Sequence, residues 1–215
     1  MQPSEQDHWQ SKLRRYTTEE WAEKPSLFAE FAVTYFPASG NLLELGTGSG
    51  QDSIWFASKG YKVTQTDVID DVFEDIKKRA AKNKVQLEQK VLDLWQPLEF
   101  AENSFDVVYA QLSLHYFDAK RTSELFKEIN HVLKPGGTFA LMLNSKDDPE
   151  YGAGEEIEPG YFQVEKLRKR YFNVEDARKY LNDFEIVVLN NEGQTYKDLA
   201  KGVRNQIQAI CRSKK

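Results

Sequence analysis

The chain holds one cysteine in 215 residues, so it cannot close a disulfide within itself. That fits a reducing compartment. Its three histidines, His8, His115 and His131, are scattered and have only one thiol for company. They do not make a zinc set, and no metal is expected. No run of about 18 apolar residues occurs, which excludes a readable membrane span. The opening MQPSEQDHWQ has neither a basic start nor an apolar stretch, so it does not read as a secretory signal. Positive charge is also short: 29 Lys and Arg against 34 Asp and Glu leave a formal net charge of −5. Such a balance provides no global field for a phosphate backbone. These absences point to a cytoplasmic protein and away from nucleic acid and membrane as partners; a monomer or homodimer is expected.

What is present is 40% hydrophobic content, enough for a substantial core, and a rhythm along the chain. Strands are expected at 41–45, 61–66, 85–92, 105–110, 138–143, 185–189 and 206–211. Helices are expected at 51–59, 72–81, 119–133 and 174–181, with Asn173 a natural N-cap for the last. Strands alternating with helices at this spacing indicate βαβ units around a parallel sheet. Before them lies an aromatic-rich helical stretch carrying Trp9, Tyr16, Trp21, Phe28, Phe31 and Tyr35. There Thr17 and Thr18 are able to start a helix, Pro25 suits the first turn of another, and Pro37 closes the section. A turn is expected at Pro135-Gly136-Gly137. Residues 145–160 read as a long polar loop, a length that is often functional. Lys166 to Arg170 read as a solvated face, and Cys211 as a buried small hydrophobe.

The stretch Leu42-Leu43-Glu44-Leu45-Gly46-Thr47-Gly48-Ser49-Gly50 ends the first strand in three alternating glycines. Bare backbone there lets a ligand approach, and ligands of open α/β sheets bind beyond the carboxyl ends of the strands. The spacing is G-x-G-x-G rather than the dinucleotide G-x-G-x-x-G, and no G-K-[ST] follows to make a phosphate loop. Glu44 opposes a dianionic ligand but suits an ammonium. Asp67 ends the second strand about 20 residues on, where an acid accepts from ribose hydroxyls. Asp93 ends the third, placed to accept from an exocyclic amine, with Leu94 beside it to pack on a base. Gln111 follows the fourth strand, near the glycine loop if strands four and one adjoin.

Glu44-Leu45-Gly46-Thr47-Gly48-Ser49-Gly50 resembles the first motif of class I S-adenosylmethionine-dependent methyltransferases. Asp67, Asp93-Leu94, the stretch from Phe105 to Phe117, and Leu133-Lys134-Pro135-Gly136-Gly137 resemble their later motifs in order. The resemblance covers about residues 40–145 and is closest to small bacterial-type enzymes of the tellurite- and thiopurine-resistance kind. It implies an α/β, Rossmann-like seven-stranded sheet of order 3-2-1-4-5-7-6, with the last strand antiparallel. It also implies one domain over 1–215: a helical cap at 1–38, a cofactor-binding core at 39–145, and a substrate-side loop with the C-terminal strands at 146–215. The cofactor implied is S-adenosylmethionine, giving S-adenosylhomocysteine. Its binding residues would be Glu44, Gly46, Thr47, Gly48, Gly50, Asp67, Val68, Asp93, Leu94, Ala110 and Gln111.

His115, placed to face the cleft, is a candidate base or pocket residue, and Tyr116 has the same two readings. Tyr16 is a candidate substrate contact, since aromatic faces attract a sulfonium. The implied acceptor is a small O, N or S nucleophile or a metalloid. Three other readings stand beside it: a nicotinamide-dependent oxidoreductase, a non-catalytic cofactor-binding module, and a methyltransferase for protein or RNA. Against the last, Ala110-Gln111-Leu112-Ser113 stands where amine-directed nucleic-acid enzymes carry N-P-P-Y or D-P-P-Y.

Overall fold

The structure, a computed structural model, describes residues 3–16, 20–195 and 204–215, and no side chain at 3, 4, 20 or 21. The helix start expected at Thr17 and Thr18, and the side chain of Trp21, lie outside the described residues. In chain order the strands are β1 (Asn41–Leu45), β2 (Lys62–Asp67), β3 (Glu88–Val91), β4 (Phe105–Gln111), β5 (Leu133–Leu143), β6 (Glu155–Glu158), β7 (Tyr161–Val164), β8 (Leu167–Arg170), β9 (Phe184–Gly193) and β10 (Gln206–Ser213). The helices are α1 (Pro3–Tyr16), α2 (Leu27–Ala32), α3 (Gln51–Ser58), α4 (Val72–Lys82), α5 (Ala119–Val132) and α6 (Val174–Tyr180). None is long and apolar enough to cross a membrane, among the described residues.

Seven strands form the central sheet in the order β3-β2-β1-β4-β5-β10-β9. Counting only that sheet's strands, this is the expected 3-2-1-4-5-7-6. β1 to β5 pair in parallel, and β10 runs antiparallel between β5 and β9. Side chains alternate faces along a strand. Leu43, Leu45, Val108, Ala110, Phe139 and Leu141 join α5 and α6 in one buried cluster. Leu42, Val107, Tyr109, Ala140 and Met142 join Phe28 of α2 and Phe56 of α3 in another. Both faces are covered, so β1 reads as a nearly continuous apolar run rather than an alternating one. Each fully buried Leu or Val contributes about 1.5–3 kcal/mol. A third cluster lies between α1, α3 and α4, where Leu13 meets Ile54, Val72, Phe73 and Ile76.

Local signals explain several boundaries. Asn173 caps α6, its side chain accepting from the Asp176 N–H at 2.7 Å. Ser26 caps α2 in the same way through Ala29, so Pro25 lies before the cap and not in the first helical turn. The Pro135-Gly136-Gly137 turn sits inside β5 as an irregularity: Phe105 pairs with Leu133, then Val107 with Thr138. Gly136 supplies the positive φ it needs. β3 is shorter than expected, and Asp93 lies two residues beyond it.

Two expectations are corrected. Residues 145–160 are not simply a loop, and 166–170 are not a solvated face. β6, β7 and β8 pair antiparallel in a separate small sheet. Leu167 and Arg170 are each 5% exposed. The guanidinium of Arg170 is offset by Glu158 and by the Phe117 carbonyl, its Nε donating there at 3.1 Å. The charge of that run concealed a short strand whose two ends, Leu167 and Arg170, are both buried.

Candidate functional site

Beyond the carboxyl ends of β1 to β4 lies a cavity of about 570 Å³. The glycine loop forms its floor. The N–H groups of Gly46 and Thr47 donate to the Thr66 carbonyl at 3.0 and 2.8 Å, folding the loop across the end of β2. A Cβ on Gly46 would come 2.5 Å from the Cβ of Ser113, and one on Gly50 2.6 Å from Ile76. Both glycines also have positive φ, 76° and 72°. The loop is therefore squeezed between the β4–α5 connection and α4, a close approach that only glycine tolerates.

Of the residues the sequence nominated for the cofactor, Glu44, Gly46, Thr47, Gly48, Asp67, Val68, Asp93, Leu94 and Gln111 line this one cavity. Gly50 and Ala110 do not. Gly50 holds the N-terminus of α3, and the Ala110 side chain is 0% exposed in the core. Asp67 accepts from the Gly48 N–H at 2.9 Å and from the Ile69 N–H at 3.0 Å. Burial pushes its carboxyl up, and these backbone bonds oppose the shift. An ionised carboxylate has about four lone-pair sites, so acceptor capacity is left for a ligand. Asp93 is oriented by the Trp95 N–H at 3.0 Å. Past β4, Leu112 adopts a positive φ of 53°, with its N–H held by the Met142 carbonyl at 2.9 Å. Such strain is characteristic of functional loops.

Glu44 is 3% exposed beneath the loop. The Thr47 hydroxyl lies 3.1 Å from its Oε2, and Ser53 donates to the same oxygen. Burial, reinforced by the nearby Asp52, pushes its carboxyl up to about 8. Asp52 accepts from the Ser26 N–H, the Ser26 hydroxyl and the Tyr109 hydroxyl, each at 2.7 Å. Burial raises it too. This network ties α2 and α3 to β4, and sequence reasoning missed it. The available signal was an acid two residues past the last glycine, in the first turn of a helix that continues Ile-Trp-Phe.

His115 does not face the cavity, contrary to expectation. It is 2% exposed, its Nδ1 has no partner among the described residues, and burial pulls its imidazole down to about 3. The connection turns Ser113, Tyr116 and Phe117 toward the cavity and leaves Leu114 and His115 inside. The main chain of His115 has a structural task, accepting the Arg170 N–H at 2.7 Å. Tyr116 does line the cavity, and burial holds its hydroxyl protonated far above the usual range.

α1 roofs the site. Trp9, Lys12, Leu13 and Tyr16 line the cavity from above, so Tyr16 is placed as expected, while Trp9 and Lys12 add to it. The helix is fastened at both ends: Arg168 to Glu5 at 3.1 Å, and Arg14 to Asp71 at 2.7 Å. Gln51 also reaches the cavity, and its Oε1 is buried with no donor among the described residues. An orphaned acceptor in the same cavity as Glu44 fits a ligand that brings an ammonium, as S-adenosylmethionine does.

The description of one protein family, a methyltransferase domain, matches residues 42–137, from β1 into β5. The chain is 34% identical over 110 residues to a Talaromyces variabilis protein named S-adenosyl-L-methionine-dependent Diels-Alderase iccD, covering 49% of this chain and 37% of that one. It spans less than half the length of the curated relatives it matches. Among solved structures, an S-adenosylmethionine-dependent methyltransferase from Methanosarcina mazei superposes with a TM-score of 0.70 at 24% identity, covering 85% of this chain and 96% of the other. The 1,6-didemethyltoxoflavin-N1-methyltransferase of Burkholderia thailandensis, solved with 1,6-didemethyltoxoflavin and S-adenosylhomocysteine, superposes at 0.72 with 18% identity, over 99% and 88% of the two chains. Sheet order, the glycine loop with its strand-end acids, and the matched segment agree: residues 42–137 match a methyltransferase domain, on a fold shared with S-adenosylmethionine-dependent methyltransferases.

Proposed function

We propose that this protein transfers a methyl group from S-adenosylmethionine to a small-molecule acceptor carrying an oxygen, nitrogen, sulfur or metalloid nucleophile. One observation carries the proposal: a single cavity joins Glu44, the glycine loop, Asp67 and Asp93 to an aromatic roof from α1. When bound, S-adenosylmethionine supplies an electrophilic methyl group: the acceptor–carbon bond forms as the sulfur–carbon bond breaks, sulfur keeps the electron pair, and any acceptor proton passes to water. Asp67 would accept from the ribose diol, held in aim by Gly48 and Ile69. Asp93 and Leu94 would hold the adenine. Glu44 and Gln51 would face the ammonium end, and Gln111 the reacting side. Alignment and exclusion of water suffice for such a displacement. His115, buried and neutral, would not act as its base; Tyr116 would shape the acceptor wall.

The same proposal takes 1–215 as one domain, with 1–38 as cap, 39–145 as cofactor half and 146–215 completing the acceptor side. It sets the protein in the cytoplasm, in keeping with its lone buried thiol, Cys211. The bound heterocycle in the Burkholderia enzyme supports a small acceptor.

Calorimetry with S-adenosylmethionine and S-adenosylhomocysteine tests cofactor binding. A screen for S-adenosylhomocysteine release with thiols, amines, phenols and metalloid oxyanions tests transfer. Binding with turnover is expected; no binding of either ligand would overturn the proposal. A second reading, cofactor binding without methyl transfer, draws on the relative named as a Diels-Alderase. Tight binding with no release across the screen would favour it.

A further inference from the structure

The part of the cavity left over by the glycine loop, Asp67 and Asp93 is aromatic and contains an ammonium without an anion. Trp9, Lys12 and Tyr16 descend from α1, and Tyr116 and Trp95 complete the wall. Trp9 meets Tyr116 edge-on, with ring centroids 5.3 Å apart. Nζ of Lys12 lies 5.0 Å from the Trp9 ring centre and 5.8 Å from that of Tyr16.

Three neighbouring cations each have a carboxylate. Arg168 pairs with Glu5 at 3.1 Å, Lys169 with Glu150 at 2.5 Å, and Arg14 with Asp71 at 2.7 Å. The cavity's own acids are engaged as well: Glu44 with Thr47 and Ser53, Asp52 with Ser26 and Tyr109, Asp67 with Gly48 and Ile69. Among the described residues Lys12 makes neither an ion pair nor a hydrogen bond, only the two ring contacts. Desolvation, with Lys169 nearby, pulls its ammonium below the usual lysine range, and Glu150 opposes this only in part. A half-buried charge facing only rings is under-compensated, and an incoming anion would supply what it lacks. The chain as a whole carries −5, so an anion would be recruited by this local charge and not by the global field.

Building on the methyltransferase reading, we propose that the acceptor is a planar aromatic acid. Its ring lies against Trp9, Tyr16 and Tyr116, and its anionic group pairs with Lys12. The flat walls select for a ring, the ammonium selects for the charge, and together they orient the molecule toward the glycine loop.

The test uses the full chain loaded with S-adenosylhomocysteine. Binding of acid and amide pairs is measured by calorimetry: benzoate with benzamide, 4-hydroxybenzoate with 4-hydroxybenzamide, and indole-3-acetate with indole-3-acetamide. The acid is expected to bind at least about 10-fold more tightly than its amide in one or more pairs. Lys12→Met should abolish that preference while leaving amide binding unchanged, and Lys12→Arg should keep most of it. Acids and amides bound alike, no binding of any probe, or a Lys12→Met variant that weakens both alike would each overturn the proposal. S-adenosylhomocysteine affinity, measured first, separates the two levels. Its absence sinks the methyltransferase reading, whereas its presence without an acid preference sinks only the aromatic-acid acceptor.

Discussion

The Gly48 amide donates to Oδ2 of Asp67 at 2.9 Å, across 19 residues of chain. This bond makes the glycine loop and the end of β2 a single rigid piece. The loop thereby aims the carboxylate, and the carboxylate in turn braces the loop.

Asp67→Asn keeps the shape and one acceptor but loses the charge. Hydrogen bonds to charged groups contribute about 1.5–3 kcal/mol, so affinity for S-adenosylmethionine should fall roughly 10- to 100-fold. Titration calorimetry on the two proteins measures this. An unchanged affinity would remove Asp67 from the ribose site.

Glu44 leads to two pH effects. Its folded carboxyl stands at about 8, above the usual glutamate value of 4.5. The folded protein therefore holds the proton where the unfolded chain has released it. The associated stability is complete below about pH 4.5 and declines as pH rises through 8. Asp52, shifted in the same direction, adds to the decline. Thermal melts of the ligand-free protein across that window should show the fall, and Glu44→Gln should flatten it. An ammonium placed beside Glu44 favours the ionised form, so cofactor binding near neutral pH should release protons. The apparent enthalpy would then change with the ionisation enthalpy of the buffer, and an invariant enthalpy would argue against contact with Glu44.

His115 should not titrate in the folded protein between pH 5 and 8, because burial holds it near 3. Here the sign reverses. Stability conferred by the neutral ring is full above the usual imidazole value of 6.5 and is lost as pH falls from there toward 3. Proton resonances of the ring report this directly. An inflection near 6.5 in the native spectrum would return His115 to the candidate bases.

Gly50→Ala should destabilise the fold by about 2–5 kcal/mol. A left-handed φ in a residue with a Cβ costs roughly 1–2 kcal/mol, and overpacking against Ile76 adds about 1–3 kcal/mol. Chemical denaturation quantifies the loss. A loss of only about 1–2 kcal/mol would show that α4 yields easily at Ile76 and leaves the φ cost alone, and a change under about 0.5 kcal/mol would contradict both contributions.

The central sheet was legible because its signals are local. Leu42-Leu43-Glu44-Leu45 followed by glycines, and acids at the ends of β2 and near the end of β3, need only spacing to be recognised. The nominated cofactor residues mostly meet in one cavity for the same reason. What was hidden depends on pairing or on direction. β6 to β8 are short and charged, and only their docking on the β4–α5 connection buries Arg170. Asp52 becomes notable once Ser26 and Tyr109, far away in sequence, converge on it. His115 lies one residue from Tyr116, yet the two side chains part, and no periodicity announces the direction of a connection built around a positive-φ leucine. Nothing in the sequence sets Lys12 apart from a surface lysine of a helix; its place comes from α1 lying across the cavity.

Ser145 bridges Phe172, both buried, and the Phe172 N–H donates to the Asn144 carbonyl at 2.9 Å. The chain that leaves β5 thus comes back to its own departure point after building β6, β7 and β8. An excursion closed at its base can be lengthened, trimmed or exchanged while β5 and α6 stay where they are. Leu167, from that excursion, lines the cavity. Part of the cavity wall is therefore a replaceable module, and a lineage could recast that wall without rebuilding the glycine loop beneath it.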